Sequence, residues 1–209
     1  MIVYPRDAGW IEVICGSMFS GKTEELIRRL RRARIGRQAV QCFKHGADDR
    51  YAHARIVSHD RQEVEAVPVA SAQEIAEGVL PRTRVVGVDE AQFFGPDLVD
   101  LLGRLADEGR RVIVAGLDQD YRGRPFGSMP ELMAVAEYVT KTHAICVLCG
   151  NPANRSQRVL GGDEVVQVGG GDSYEPRCRK CFDPEGIEGR RQWRLPLDAP
   201  DGPGEEVVP

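Results

Sequence analysis

The sequence predicts an α/β fold in which helices cover both faces of a parallel β-sheet. Over residues 1–145, short apolar segments alternate with amphipathic segments, which is typical of parallel sheets built from strand–helix units. Two of the apolar segments, Arg84–Asp89 and Arg111–Gly116, are hydrophobic along nearly their whole length, as strands buried on both faces are. A glycine-rich turn, Gly16–Gly21, also joins the first apolar segment to the first amphipathic one.

The first elements follow from hydrophobic periodicity. Trp10–Cys15 (WIEVIC) is a short apolar segment and is predicted as a strand. Thr23–Arg34 has apolar residues at helical spacing and is predicted as a helix. The buried face of this helix would carry Leu26, Ile27, Leu30 and Ala33. Ala39–Phe43 is predicted as the second strand.

The middle of the chain begins with a polar stretch, residues 45–62, which is predicted as a mobile loop between strands. Val64–Val69 is predicted as a third strand. Ser71 is predicted to cap the next helix, because Glu74 follows three residues later in a capping-box arrangement. Arg84–Asp89 (RVVGVD) is predicted as a buried strand.

The last elements of this region repeat the pattern. Pro96–Glu108 is predicted as a helix that ends at Gly109. Its buried stripe would consist of Leu98, Leu101, Leu102 and Leu105. Arg111–Gly116 (RVIVAG) is predicted as a buried strand, Glu131–Ala136 as helical and Tyr138–Cys146 as extended.

The pattern changes at Cys146, so we expect a core domain over residues 1–145 and a small second domain over residues 146–182. The second domain contains paired cysteines, glycine-rich turns and a short alternating segment, Glu164–Val168, predicted as a strand. Residues 183–209 contain five prolines and four glycines in 27 positions and are predicted to be a disordered tail.

Charge and hydropathy exclude several classes of protein. The net charge is −4, from 28 basic and 32 acidic residues, so we expect no general attraction to nucleic acid or to membrane surfaces. No segment combines a basic stretch with a long apolar one, and no run of about 18 apolar residues occurs. Two of the six cysteines, Cys15 and Cys42, lie in apolar strands and are predicted to be buried. We therefore expect a cytoplasmic protein with reduced thiols.

The segment Gly16–Thr23 (GSMFSGKT) matches the phosphate-loop motif G-x-x-x-x-G-K-[ST]. It stands between a predicted strand and a predicted helix, where backbone N–H groups and the helix dipole favour phosphate. Lys22 would reach the β- and γ-phosphates of ATP, and the hydroxyl of Thr23 would bind Mg²⁺. The alternative, a glycine turn that precedes a lysine by chance, does not account for this setting.

Two acidic residues end the strand Arg84–Asp89. Asp89 is predicted to hold Mg²⁺ through water, since parallel strands present such carboxylates at one edge of the sheet. Glu90 would lie near the γ-phosphate and accept a proton from the attacking oxygen. The alternative is a strand end with no catalytic role. These motifs leave open whether water attacks, as in an ATPase, or an alcohol, as in a kinase.

Four cysteines form two C-x-x-C pairs, Cys146–Cys149 and Cys178–Cys181, with 28 residues between them. Four thiolates suit tetrahedral Zn²⁺ and leave no coordination position for water, so a structural zinc site is predicted. The metal would close a loop that contains the glycine-rich segment Gly169–Tyr174. The alternatives for the cysteines are two disulfides or four thiols without a function. The alternative for the glycine-rich segment is a surface turn.

The ordered set of motifs resembles the type II thymidine kinases, a zinc-containing family of bacteria and animal cytosol. The motifs are GSMFSGKT, DDRY at Asp48–Tyr51, VDEAQFF at Val88–Phe94, GLDQDYRGRPFG at Gly116–Gly127, and two cysteine pairs flanking GGGDSYEP. The resemblance covers about residues 10–182. It implies a RecA-like phosphate-loop core, a zinc-anchored lasso loop over the nucleoside, a homotetramer and feedback inhibition by thymidine triphosphate.

The resemblance also implies roles for individual residues. Glu90 would be the general base on the 5′-hydroxyl of thymidine, assisted by Lys22 and Arg50. The ATP side would comprise Gly16, Ser17, Met18, Phe19, Ser20, Gly21, Lys22, Thr23, Asp48, Asp89, Glu90, Ala91 and Gln92. The nucleoside side would comprise Met18, Phe93, Leu117, Tyr121, Phe126, Ser156, Val165, Val166, Gln167, Val168, Gly169 and Tyr174, whereas Phe94 is assigned to the core. The zinc ligands would be Cys146, Cys149, Cys178 and Cys181.

Three residues depart from the family pattern. Ser17 stands where proline is common, Gln167 where an aliphatic residue is common, and Ser156 where threonine commonly contacts the thymine methyl. The last two departures lead us to expect that deoxyuridine is also accepted.

The sequence is also compatible with two other functions. A RecA-like, DNA-stimulated ATPase with a zinc module would explain the arginines of the first helix, although a solvated or subunit-contacting helix face explains them equally. A non-catalytic nucleotide-binding regulator is disfavoured by the intact Lys22, Thr23, Asp89 and Glu90.

Overall fold

A computed structural model describes residues 8–46, 55–57, 63–159 and 173–184. A six-stranded sheet forms the centre of the described part, in the order β5-β2-β6-β7-β1-β8. Every neighbouring pair in this sheet is parallel. The six strands are β1 (Trp10–Gly16), β2 (Val40–His45), β5 (Val67–Val69), β6 (Val85–Asp89), β7 (Arg111–Leu117) and β8 (Tyr138–Thr142). The predicted α/β class with a parallel sheet is confirmed.

Helices pack on both faces of this sheet, as predicted. They are α1 (Lys22–Ile35), α2 (Ala72–Gly78), α3 (Asp97–Asp107) and α4 (Met129–Val135), with a short 3₁₀ turn at Ala91–Phe93. Side chains alternate along the strands, so that Val13 packs toward α2, α3 and α4, whereas Ile14 packs toward α1. The sheet is therefore the middle layer between two hydrophobic clusters.

The predicted helix boundaries differ from the observed ones by one or two residues, and the predicted buried stripes of α1 and α3 are confirmed. Ser71 caps α2, since its hydroxyl oxygen accepts a hydrogen bond from the backbone N–H of Glu74. Gly109, two residues beyond the end of α3, has a φ of 85°, a left-handed conformation that glycine adopts without strain. Cys15, Cys42 and Phe94 are buried, as predicted.

The prediction of one strand over Val64–Val69 is wrong. This segment forms two strands, β4 (Glu63–Glu65) and β5. β4 pairs antiparallel with β3 (Arg55–Val57) outside the main sheet, whereas β5 pairs with β2 at the sheet edge. Residues 55–57 of the predicted loop are consequently a strand, and the remainder of that loop beyond residue 46 and before residue 63 lies outside the described residues. The alternation of apolar residues over Val64–Val69 does not indicate that the first half pairs with β3 and the second half with β2.

The predicted extended segment Tyr138–Cys146 is divided into β8 and β9 (Ala144–Ile145). Three further strands follow, namely β10 (Pro152–Ala153), β11 (Arg155–Arg158) and β12 (Tyr174–Arg177). β9 pairs with β10 and β11 pairs with β12, both antiparallel. We call these four strands, together with the four paired cysteines, the zinc module. The predicted strand Glu164–Val168 and the tail beyond residue 184 lie outside the described residues.

A buried carboxylate ties α1 to the sheet. Glu12 on β1 is 2% exposed and accepts hydrogen bonds from Arg111, Arg29 and the indole of Trp10. Burial acts to raise the pKa of Glu12, but the hydrogen bonds and the positive charges of the two arginines outweigh it, so this pKa falls below 4.5. Glu12 is therefore held as a charged group between the helix and two strands.

None of the helices in the described part of the chain is both long and apolar enough to cross a membrane.

Candidate active site and metal centre

The carboxyl ends of β1, β6 and β7 meet at one edge of the sheet, where open α/β folds bind their ligands. The phosphate loop, Gly16–Thr23, begins at the end of β1 and leads into α1. Gly16 has a φ of 145°, and a Cβ at this position would lie 2.3 Å from the carbonyl oxygen of Thr142 on β8. Only glycine therefore allows the loop to leave β1 alongside β8.

The amine of Lys22 folds back onto the loop, and its Nζ donates a hydrogen bond of 2.7 Å to the carbonyl oxygen of Ser17. The same oxygen accepts a 2.7 Å hydrogen bond from the hydroxyl of Ser20. Burial lowers the pKa of Lys22, and the negative charges of Glu90, Asp89 and Asp118 oppose this change. A desolvated ammonium surrounded by carboxylates is an electrostatic environment suited to phosphate oxygens and their metal ion.

Thr23 and Asp89 face each other across the site. The hydroxyl of Thr23 donates to Oδ2 of Asp89 over 3.2 Å. Burial, followed by the negative charge of Glu90, raises the pKa of Asp89 to about 7. Lys44 on β2 is buried and lies in register with Asp89, and its charge acts in the opposite direction on this pKa. The hydroxyl and carboxylate oxygens are the donor types that Mg²⁺ prefers, so Thr23 and Asp89 fit this ion.

Glu90 follows β6 in a left-handed conformation, with φ 57° and ψ 39°. Few residues other than glycine adopt this conformation, and it concentrates at functional sites. Oε2 of Glu90 accepts a 2.6 Å hydrogen bond from Nε2 of Gln92. Oε1 of Gln92 in turn accepts from the backbone N–H of Leu117, over 2.9 Å, at the end of β7. Gln92 therefore fixes the Glu90 carboxylate relative to the sheet.

Aromatic side chains line the region beyond Glu90. The rings of Phe93 and Phe126 meet edge to face, with centroids 6.0 Å apart, and the imidazole of His45 lies 5.8 Å from the ring of Phe93. Such a wall of aromatic rings suits a flat apolar ligand.

Tyr121 and Tyr174 lie in the same neighbourhood because both contact Arg158. The guanidinium carbon of Arg158 lies 3.8 Å from the ring centroid of Tyr121. Two nitrogens of Arg158 donate to the hydroxyl of Tyr174, over 2.7 and 3.2 Å. Arg158 is 2% exposed. Sequence reasoning missed this residue, because a single arginine in a chain rich in arginine carries no motif.

Ser156 is buried, and its hydroxyl oxygen accepts a 3.0 Å hydrogen bond from the backbone N–H of Met18 in the phosphate loop. The structure thus brings Met18 and Ser156 together, although they are 138 positions apart.

Asp118 was also missed by sequence reasoning. Its carboxylate follows β7, is buried, and pairs with Lys141 on β8 over 2.5 Å, so that the ion pair spans the end of β1.

The four paired cysteines converge, with all their Sγ atoms within 4.8 Å of one another. Sγ of Cys149 lies 3.5 Å from Sγ of both Cys178 and Cys181. A tetrahedron with Zn–S bonds of about 2.3 Å places sulfurs about 3.8 Å apart, so the cluster fits zinc. The amide of Asn151 donates to Sγ of Cys149, which orients that sulfur.

Several predicted site residues lie outside the described residues. They are Asp48, Arg50, Val165, Val166, Gln167, Val168 and Gly169. The other predicted ATP-side residues form the phosphate loop and the segment Asp89–Gln92, which meet at Thr23 and Asp89. The backbone N–H of Leu117 contacts the same segment through Gln92.

Comparisons with known proteins identify the family to which the chain belongs. A family model described as thymidine kinase matches residues 9–182. A thymidine kinase of Rhodothermus sp. (strain ITI 518) is 55% identical over 199 residues, which cover 95% of this chain and 93% of the relative. A thymidine kinase of Bdellovibrio bacteriovorus is 54% identical over 192 residues, covering 92% of this chain and 94% of the relative. The chain therefore belongs to the thymidine kinase family.

Proposed function

We propose that this protein is a thymidine kinase that transfers the γ-phosphoryl group of ATP to the 5′-hydroxyl of thymidine, giving thymidine 5′-monophosphate and ADP. Membership of the family supports this reaction and implies ATP as the phosphate donor. One structural observation carries it: Glu90 is held by Gln92 directly beside the paired Thr23 and Asp89.

Glu90 is proposed as the general base. Its carboxylate takes the proton of the 5′-hydroxyl while the oxygen attacks the γ-phosphorus in line. The bond between that phosphorus and the β–γ bridging oxygen breaks, and ADP leaves with the electron pair. Lys22 binds phosphate oxygens and stabilises the charge that develops on them. The hydrogen bond from Gln92 supports this role, because it fixes the carboxylate before the substrates bind.

Magnesium is proposed as the metal that accompanies ATP, held by Thr23 and, through water, by Asp89. When bound, it would neutralise charge on the phosphate oxygens. Zinc is proposed as a purely structural metal of Cys146, Cys149, Cys178 and Cys181, since four thiolates complete its coordination.

Further parts of the site remain proposals that rest on the family resemblance. Arg50 would stabilise the phosphoryl group beside Asp48, and Val165–Gly169 would form a lasso over the thymine. Phe93, Leu117, Tyr121, Phe126 and Tyr174 would surround the base and sugar. Exclusion of water by the lasso would separate kinase from ATPase behaviour.

Organisation at the level of the protein is proposed in the same way. We propose a cytoplasmic homotetramer that is inhibited by thymidine triphosphate and does not bind nucleic acid or membranes. We also propose a kinase core over residues 1–145, a zinc-binding lasso domain over residues 146–182 and a tail over residues 183–209.

The deciding experiment is a nucleoside screen. Purified protein would be incubated with ATP, Mg²⁺ and each common nucleoside or deoxynucleoside in turn, and the monophosphate products separated by chromatography. We expect phosphorylation of thymidine and, because Ser156 replaces threonine, of deoxyuridine. ATP hydrolysis that responds to DNA but not to thymidine would instead establish the DNA-stimulated ATPase.

A further inference from the structure

The phosphate loop is hydrogen-bonded to the zinc module at two consecutive residues. The hydroxyl of Ser17 donates to the carbonyl oxygen of Ala153 over 3.3 Å. The backbone N–H of Met18 donates to the hydroxyl oxygen of Ser156 over 3.0 Å. Ser17, Ala153 and Ser156 are all buried, so water does not compete for these contacts and they hold the loop firmly.

The two contacts reach the two cysteine pairs through different strands, which the backbone N–H of Val147 also joins by donating to the carbonyl oxygen of Pro176. Ala153 lies on β10, which pairs with β9 next to Cys146, and the backbone N–H of Cys146 donates to the carbonyl oxygen of Asn151. Ser156 lies on β11, opposite Pro176 of β12, and β12 ends one residue before Cys178. A metal that joins the two cysteine pairs would therefore fix both anchors of the phosphate loop relative to each other.

Ser17 also forms hydrogen bonds within the phosphate loop itself. Its carbonyl oxygen accepts hydrogen bonds from the amine of Lys22 and the hydroxyl of Ser20. A displacement of Ser17 would therefore move the groups that bind phosphate. Proline, which is common at this position in the family that the sequence resembles, has no hydroxyl and could not make the contact with Ala153.

We propose that zinc binding and ATP binding are thermodynamically coupled in this protein through the Ser17–Ala153 and Met18–Ser156 hydrogen bonds. Ser156 is then a positioning residue for the phosphate loop. The proposal rests on the ATP and zinc sites proposed above. Coupling is reciprocal, so zinc raises the affinity for nucleotide by the same factor by which nucleotide raises the affinity for zinc. We expect a factor of about 5 or more, the lower end of measured couplings between sites.

The test measures both affinities without any nucleoside. The dissociation constant of the non-hydrolysable ATP analogue AMP-PNP with excess Mg²⁺ is measured by calorimetry. Zinc affinity is measured by competition with a chromogenic chelator, with and without AMP-PNP and Mg²⁺, and the analogue is titrated against the chelator alone to correct for zinc that it binds. The variants are Ser17→Pro, Ser156→Ala and the double variant.

The wild type should bind zinc about 5-fold or more tightly when AMP-PNP is present, and the double variant less than 2-fold more tightly. The double variant should also bind AMP-PNP more weakly at full zinc occupancy. Ser71→Ala is the matched control, because it removes a serine hydroxyl that caps α2 near the opposite edge of the sheet. This control should keep the wild-type coupling.

Zinc affinity of the wild type that does not respond to AMP-PNP would overturn the proposal, as would a double variant with undiminished coupling. If the double variant does not fold, Ser17→Ala and Ser156→Ala are each measured singly, and undiminished coupling in both would overturn it. The proposed kinase activity is judged separately with thymidine. A protein that shows coupling but does not phosphorylate thymidine would refute the proposed function and leave this inference intact.

Discussion

Glu90 combines a strained backbone with a fixed side chain. A left-handed conformation costs a residue other than glycine about 1–2 kcal/mol. The hydrogen bond from Gln92 to the Glu90 carboxylate, and the bond from Leu117 to Gln92, hold the residue in this conformation. In this conformation the Glu90 carboxylate is close enough to the phosphate loop for its charge to act on Lys22.

We predict that Glu90→Gln lowers kcat for thymidine about 10²- to 10⁴-fold, the range for removal of a general base. Glutamine keeps an oxygen that can accept from Gln92, so the local structure should persist. The dissociation constant of AMP-PNP, measured by calorimetry, should change less than about 3-fold. Glu131→Gln, on the exposed face of α4, serves as the control. A Glu90→Gln enzyme with near-normal kcat would remove Glu90 from the role of base.

Arg158 is a buried cation that joins two aromatic residues of different elements. It lies over the ring of Tyr121, beyond β7, and donates twice to the hydroxyl of Tyr174 on β12. The hydroxyl of Tyr121 also accepts a hydrogen bond from Arg122. Hydrogen bonds to a charged group are worth about 1.5–3 kcal/mol, so Arg158 fixes the position of both rings.

We predict that Arg158→Met raises the KM for thymidine about 10-fold or more while kcat falls less, because loss of the two hydrogen bonds frees Tyr174. The matched control is Arg155→Met on the same strand, whose guanidinium lies over Phe182 instead. Steady-state kinetics with varied thymidine at saturating ATP give both constants. A variant that only melts at a lower temperature, with unchanged KM, would limit Arg158 to a structural role.

At the residue scale, the sequence allows a site to be proposed where the residues concerned occupy adjacent positions. The phosphate loop, the Asp89–Glu90 pair and the two cysteine pairs each have fixed local spacing, and the structure brings the members of each group together. Arg158 and the contact of Met18 with Ser156 depend on chain segments far apart in sequence. No local pattern specifies such contacts, so sequence reasoning did not find them.

At the scale of elements, the Glu12 network joins β1, β7 and α1. Glu12 accepts from Arg29 of the helix and from Arg111 of the neighbouring strand, and the side chains of these arginines are 12% and 15% exposed. Glu12 is charged in the folded protein at a pH where it would be protonated in the unfolded chain. Stability from this network is therefore present above about pH 4.5 and is lost as the pH falls through the lower pKa of the folded state.

We predict that Glu12→Gln lowers the free energy of unfolding at pH 7 by about 3 kcal/mol, the lower end for breaking a buried ion pair, because both arginines keep some contact with water. The difference from the wild type should shrink as the pH falls below about 4.5, since the unfolded wild-type chain then binds a proton at Glu12 that the folded protein, with its lower pKa, does not yet bind. Urea titrations at several pH values measure the free energy of unfolding of both proteins.

The control for this prediction is Glu175→Gln, which breaks the more exposed pair with Arg177 and should cost at most about 1 kcal/mol. A Glu12→Gln effect that is equal at pH 7 and pH 3.5 would contradict the charge-based account.

Elements of the core were more predictable than elements of the zinc module. Helices such as α3 bury one regular stripe of leucines, and strands β6 and β7 are apolar along most of their length. β9 and β10 have two residues each, and β11 and β12 have four. Periodicity cannot be read over such short segments, and these strands depend on pairing and on the cysteine cluster instead.

We predict that Cys178→Ser reduces the zinc content well below one ion per chain, measured by atomic absorption, because three thiolates bind zinc less tightly than four. Hydrogen exchange of the β11–β12 backbone should accelerate at least about 10-fold relative to the wild type. Exchange in β6 should be unchanged. Confirmed loss of zinc with normal protection of β11 and β12 would show that the metal does not organise these strands.

At the scale of the whole molecule, the class of fold was predictable, whereas the order of the strands was not. Alternation of strands and helices predicts a parallel sheet with helices on both faces. The order β5-β2-β6-β7-β1-β8 depends on which strands pair, and strands buried on both faces have similar sequences. The placement of β1 between β7 and β8 is what brings Asp118 and Lys141 together across the phosphate loop.

We predict that the protein in solution is a tetramer of 23.1 kDa chains. Light scattering after size-exclusion chromatography measures the mass directly, at several protein concentrations. A monomer at all concentrations, with thymidine kinase activity retained, would show that this member of the family acts without assembly.

Gly127 limits how this enzyme can change over evolutionary time. It has a φ of 52°, and a Cβ at this position would lie 2.1 Å from the carbonyl oxygen of Gln92, which is backbone that cannot yield without moving Glu90. Neighbouring exposed positions such as Arg122 and Arg124 have no such restriction. Substitutions in the loop before this glycine can therefore change the substrate preference, whereas position 127 itself accepts only glycine.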